Sequence, residues 1–146
     1  MGDLFNPKFG AVEGLGAYTV ANLDTALTNT DLVFGQAGNT LSPGMPSAGT
    51  IVGLSVVANA APTAGTATFS AHSAGTEISG GPTAVIDSAT NTLESSGLAA
   101  SARAHTFAKG ARLGISATTT TNLAATTVEY TGILWVRFDP DGLAGA

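Results

Sequence analysis

The sequence predicts an all-β fold, an antiparallel two-sheet sandwich of jelly-roll type with about eight short strands. Three observations carry this. Apolar and polar residues alternate with period two in several stretches, most clearly over residues 65–72, 112–118 and 127–138. Turn formers separate these stretches, and Ala-Gly-Thr recurs at 48–50, 64–66 and 74–76, each time just before a proposed strand. The intervals differ, which marks turn punctuation rather than a repeat architecture. Finally, no stretch carries the stripe of large apolar residues that an amphipathic helix needs, although the alanines of residues 98–104 have helix propensity. An immunoglobulin-type sandwich is the second candidate.

Taken in order, residues 1–16 mix Phe5, Pro7, Phe9 and Leu15 with glycines and show no period. They read as an extended arm with Phe5 and Phe9 as aromatic anchors; the plainer alternative is a loose terminus. Residues 17–21 form a short strand with Tyr18 and Val20 on one face, and Leu32-Val33-Phe34 is a second apolar run ended by Gly35. Residues 36–49 hold Gly38, Asn39, Pro43, Gly44 and Pro46 and read as a long loop. Residues 50–58 are a strong strand, with Val52, Leu54 and Val56 inward and Ile51 and Val57 outward. In 65–72, Ala67, Phe69 and Ala71 point inward and Thr66, Thr68, Ser70 and His72 outward. Short strands follow at Glu77-Ile78 and Ala84-Val85-Ile86, then a polar, Ser-rich connection over 87–101.

Residues 103–107 read as strand, a Lys109-Gly110 turn follows, and 112–118 places Leu113, Ile115 and Ala117 inward. The richest strand is 127–138. Val128, Tyr130, Leu134, Val136 and Phe138 share one fully apolar face, while Ile133 and Trp135 share the other with Glu129, Thr131 and Arg137. This is the pattern of a central strand with its inner face on the core and its outer face on another surface. Asp139-Pro140-Asp141-Gly142 stops it. The expected organisation is an arm over 1–16, one sandwich domain over 17–139 and a tail over 140–146.

Composition narrows the function. The chain of 146 residues suits one domain, and its 44% hydrophobic content is rich in alanine, so the core is thin. Charged residues make up only 10%, against about 25% in an average soluble domain. Such a surface suits a protein covered by neighbours. The net charge is −5, with no Lys or Arg between Lys8 and Arg103, so a nucleic-acid partner is not expected. Arg103, His105, Lys109 and Arg112 form a small basic cluster: either a solvated hairpin end or a contact for an acidic neighbouring protein.

There is no cysteine, no signal-peptide pattern and no apolar run of membrane-spanning length, and a soluble protein made in a cytoplasm is expected. No Gly-x-Ser-x-Gly is present, and His72 and His105 read as surface residues. Asp139-x-Asp141-Gly142 lacks the later ligands of a calcium loop, and Gly14-x-Gly16 lacks the third glycine of a dinucleotide site. The expectation is therefore a protein that is not an enzyme and has no metal or cofactor.

Four segments together carry a family resemblance. They are Gly49-x-Ile51-x-Gly53-Leu54-Ser55-Val56, Thr63-Ala64-Gly65-Thr66-Ala67-Thr68-Phe69, Phe107-x-x-Gly110-x-Arg112-Leu113-Gly114-Ile115, and the strand over 128–138. Spanning roughly residues 50–138, they resemble small β-sandwich virion proteins of tailed bacteriophages, the capsid decoration or cement proteins above all. The resemblance implies a homotrimer on the capsid surface of the virion, bound between major capsid protein subunits and holding the expanded shell together. It implies that the arm with Phe5 and Phe9 reaches a neighbour. Ile133 and Trp135 would then be buried between subunits, and Arg103, Lys109 and Arg112 are candidates for the shell contact. Similar patterns occur in tail-associated jelly-roll modules and carbohydrate-binding heads, which is the alternative.

Overall fold

The chain doubles back on itself at the turn around Gly80, whose φ of +68° suits a residue without Cβ. The computed structural model describes residues 12–21, 23, 25–28, 30–33, 36–37, 44–74, 76–89, 94–98, 105–125 and 127–139. Its strands are β1 (Val12–Ala21), β2 (Thr30–Val33), β3 (Gln36–Ala37), β4 (Gly49–Ala58), β5 (Thr66–Ser73), β6 (Thr76–Glu77), β7 (Thr83–Asp87), β8 (Glu94–Leu98), β9 (Thr106–Phe107), β10 (Leu113–Thr119) and β11 (Glu129–Phe138). The described residues contain no helix.

The pairing is nested. β5 pairs with β7, β4 with β8, β2 with β10, and β1 with β11, all antiparallel. Taken outward from the turn, these are the rungs of one long hairpin. The hairpin is rolled so that successive rungs fall on opposite sheets. Sheet A runs β1-β11-β4-β8 with β9 also on β4, and sheet B runs β3-β2-β10-β5-β6 with β7 also on β5. This nested, alternating order is the jelly-roll arrangement.

Sheet A supplies most of the large core side chains: Ile51, Leu54 and Val56 from β4, and Tyr130, Leu134, Val136 and Phe138 from β11. Sheet B answers partly with small ones, Ala67 and Ala71 of β5, Ala84 of β7 and Ala117 of β10, around Phe69, Ile86, Leu113 and Ile115. Small opposite large lets the two layers interdigitate. At Gly132 an added Cβ would stand 2.9 Å from Ile115 Cδ1, so Ile115 reaches across from sheet B into the space that glycine leaves. At the sandwich edge Gly97 of β8 lies against the backbone of Thr83 in β7, so the sheets meet closely there.

Burial along β11 alternates at every residue from exposed Glu129 to buried Phe138, as the sequence predicts. In β4 the structure corrects the expected faces. Gly53 is opposite Trp135 but Ile51 is opposite Val136, which leaves Val52 as an extra residue in a bulge. The bulge turns Ile51 inward, where it is fully buried, and leaves Val52 half-buried. Other differences are local. β1 begins at Val12, inside the stretch expected as arm. β3 falls inside the expected long loop, and β8 inside the polar connection. The expected strand over 103–107 is described only as β9. The expected anchors Phe5 and Phe9, and Arg103, lie outside the described residues, as does the tail over 140–146.

Candidate interaction surface

Because β11 is central in sheet A, its outward row is flanked on both sides. Trp135 is opposite Gly14 of β1 on one side and Gly53 of β4 on the other. The indole spans this width. Its Nε1–H donates to Ser55 Oγ on β4 at 2.8 Å. Its opposite edge covers β1, where a Cβ on Gly14 would lie 3.1 Å from Trp135 Cζ3 and 3.0 Å from Ile133 Cγ2. Glycine at position 14 therefore makes room for the ring. With its donor satisfied, the half-buried indole presents apolar surface on the outside of the sheet.

Further out on the same face two more apolar side chains stand beside polar ones, Val57 next to Thr131 and Val12 next to Arg137. Val57 of β4 is 43% exposed and Val12 of β1 is 55% exposed, while Ile133 is half-buried. Glu129 closes one end of the row and Arg137 the other. The Glu129 end is held in place by Asn59, whose Oδ1 accepts from the Glu129 backbone N–H at 2.9 Å and whose own N–H donates to the Glu129 carbonyl at 3.0 Å. Ile133 and Trp135 in one row, with Val57 and Val12 further out, leave apolar surface on the outer face of the sheet, where a partner could pack.

The basic residues of the sequence are only partly brought together. Lys109 and Arg112 are exposed on the connection from β9 to β10, where the chain passes from sheet A to sheet B. Its backbone is fixed from the side: the Met45 N–H donates to the Ala111 carbonyl at 2.9 Å, and the Gly110 N–H to the Met45 carbonyl at 2.8 Å. Phe107 packs edge-on against Phe138 with ring centroids 6.0 Å apart, tying the same connection to the end of β11. His105 is half-buried, and its carbonyl accepts from the Ile51 N–H at 2.9 Å.

His72 corrects a second expectation. The alternation of β5 assigns it to the surface, yet it is only 2% exposed. Gly114 of β10 is its register partner, and a Cβ there would stand 2.5 Å from His72 Nε2, so the ring occupies the space over that glycine. Ser70 and Ser116, further along the same face of sheet B, are also buried. Period two separates the faces of a strand, but it cannot reveal that both faces are covered.

The remaining chemistry is dispersed. Among the described residues no three His, Asp or Glu side chains gather where they could hold a metal ion. Ser47 Oγ, Thr50 Oγ1, His105 Nε2 and the Tyr130 hydroxyl are buried and have no hydrogen-bond partner among the described residues. Burial pushes the Tyr130 hydroxyl above its ordinary pKa of 10.0. Tyr130 faces the core beside Phe69, so it belongs to packing rather than to a cleft. Comparison with family models, with curated proteins and with solved structures returns no match.

Proposed function

We propose that the protein is a structural virion component, a capsid decoration or cement protein that binds the outside of a major capsid protein lattice and stabilises the expanded head. The observation that carries this reading is the outer face of sheet A, where Trp135 and Ile133 of the central strand β11, Val57 of β4 and Val12 of β1 leave apolar side chains partly exposed. Its physical logic is attachment rather than turnover. A small sandwich offers stiff faces, and a repetitive shell lets several modest contacts act together with large avidity. A chain with only 10% charged residues suits a molecule much of whose surface is covered by copies of itself or by the shell. The exposed turn with Lys109 and Arg112 supplies the basic contact for an acidic patch on the capsid subunit.

The test is co-sedimentation of the purified chain with expanded, undecorated phage shells. Saturable binding at hundreds of copies per shell, with a raised shell melting temperature, is the expected result. A few copies per particle, or none, overturns the reading. Lys109→Glu should weaken shell binding several-fold and leave the melting temperature of the free protein unchanged.

One observation favours a second reading. A half-buried indole whose N–H is already bonded to Ser55 is also a suitable stacking surface for a sugar ring, as in a carbohydrate-binding or tail-associated module. Glycan-array hits that Trp135→Ala abolishes would establish that reading instead.

A further inference from the structure

The outward row of β11 is complementary to itself. Its members are Glu129, Thr131, Ile133, Trp135 and Arg137, with Ile133 at the centre. We infer that this face packs against the same face of a second copy of the chain, about a two-fold axis crossing the strands at the level of Ile133. Such an axis reverses the strand direction of the second copy. Ile133 then meets Ile133, and Glu129 of each copy stands over Arg137 of the other.

Volume and charge select this arrangement. Val57 is paired in register with Thr131 and Gly53 with Trp135, equal steps on either side of Ile133. The two-fold therefore lays Val57, 43% exposed, over Gly53 of the other copy, and Trp135 over Thr131. On β1 the exposed Val12, level with Arg137, comes over the position of Ala21, which is level with Glu129. Apart from Ile133, which meets itself on the axis, each of these apolar side chains comes over a smaller residue. An axis along the strands would instead set Glu129 on Glu129, Arg137 on Arg137 and Trp135 on Trp135, which costs both charge and volume. Arg137 already has a partner within its own chain, and the pairing adds a carboxylate to it. Eight residues separate Glu129 from Arg137, about 26 Å at about 3.3 Å per residue, so the two charges of one copy do not meet along the strand.

The extent of the face sets the strength. A row about 26 Å long across three strands about 4.8 Å apart covers roughly 400 Å² per copy, or about 800 Å² in total. That is below the range of stable complexes, so the pair is weak and readily reversible. This pairing covers the same outer face of sheet A on which the proposed function rests, so a second copy and the shell compete for it, and it differs from the trimer that the family resemblance implies.

Sedimentation equilibrium on the full chain between about 1 and 300 µM tests the inference. A monomer–dimer equilibrium is expected, and Glu129→Arg or Arg137→Glu alone should weaken it at least tenfold. The decisive arm mixes the two variants. At both ends of the paired faces the two-fold sets a side chain of one variant against the oppositely charged side chain of the other: the two introduced residues meet at one end, and the native Glu129 and Arg137 at the other. The equimolar mixture should therefore dimerise where each variant alone does not. A wild-type trimer, a monomer throughout the range, or a mixture no tighter than its components overturns the proposal. Should circular dichroism show that Arg137→Glu fails to fold, Val57→Glu is the second variant: lost dimerisation with an unchanged spectrum supports the pairing, and unchanged dimerisation overturns it.

Discussion

Replacing Tyr130 with Phe should stabilise this protein, although the side chain is only 1% exposed and central to the core. The ring packs on Phe69 with centroids 5.4 Å apart at an interplanar angle of 47°, and Phe keeps that contact. What it removes is a buried hydroxyl that has no hydrogen-bond partner among the described residues. Leaving such a group unsatisfied costs about 1–3 kcal/mol. The small void left by one oxygen takes back part of that, so a net gain of about 1 kcal/mol is expected, or about 3 °C in melting temperature for a chain of this length. The pH dependence has a definite sign. Burial raises the hydroxyl pKa above 10.0, so in alkali the folded state holds a proton that the unfolded state releases. This contribution is fully present below pH 10 and is lost as pH rises through the folded pKa, with a slope of at most about 1.4 kcal/mol per pH unit. Urea unfolding at pH 7, and in steps from pH 9 to 11.5, should show the Phe variant more stable at neutrality and the two proteins diverging further in alkali. A Phe variant less stable by 1 kcal/mol or more, or alkaline slopes that coincide, would show that the hydroxyl is bonded and the reasoning wrong.

Three further substitutions probe close contacts. Gly97→Ala drives a Cβ into the backbone carbonyl of Thr83, which cannot swing aside as a side chain can. It should cost more than about 2 kcal/mol by lifting β8 from the sandwich, and a wild-type urea midpoint would refute that close approach. Gly114→Ala places a Cβ 2.5 Å from His72 Nε2 and should cost about 1–3 kcal/mol, read by the same unfolding curve. Ser55→Ala removes the acceptor of the Trp135 Nε1–H and should cost about 1 kcal/mol with a shift in tryptophan fluorescence; an unchanged spectrum would mean that the indole does not depend on that bond.

What the sequence reveals of this fold follows from how local each signal is. The faces of β11 and the inward residues of β5 and β10 are legible because period two needs only neighbouring residues, and Ala67, Phe69, Ala71, Leu113, Ile115 and Ala117 are all in the core. The inversion of Ile51 and Val52 is not legible, since a bulge is defined by pairing with β11, a strand far away along the chain. β8 escapes notice for the same reason. Glu94-Ser95-Ser96-Gly97-Leu98 has neither alternation nor β-branched residues, and it is a strand because β4 offers it a ladder from Gly53 to Val57.

The outward surface needed both kinds of information. Ile133 and Trp135 stand out in the sequence as apolar residues on the wrong side of a strand. Gly14, which leaves room for the indole, and Ser55, which accepts from its N–H, are ordinary residues in ordinary stretches until the register brings β1 and β4 to either side of β11. That setting changes the physical meaning of the tryptophan. A ring standing upright on a sheet would be a mobile anchor with an unsatisfied donor. A ring laid across glycine and tied to Ser55 has already given up its rotational freedom, so covering it requires little further ordering. The proposed pairing about Ile133 would therefore need little ordering of the indole, and the symmetric placement of Glu129 and Arg137 about Ile133 is what favours a second copy of the chain in that proposal.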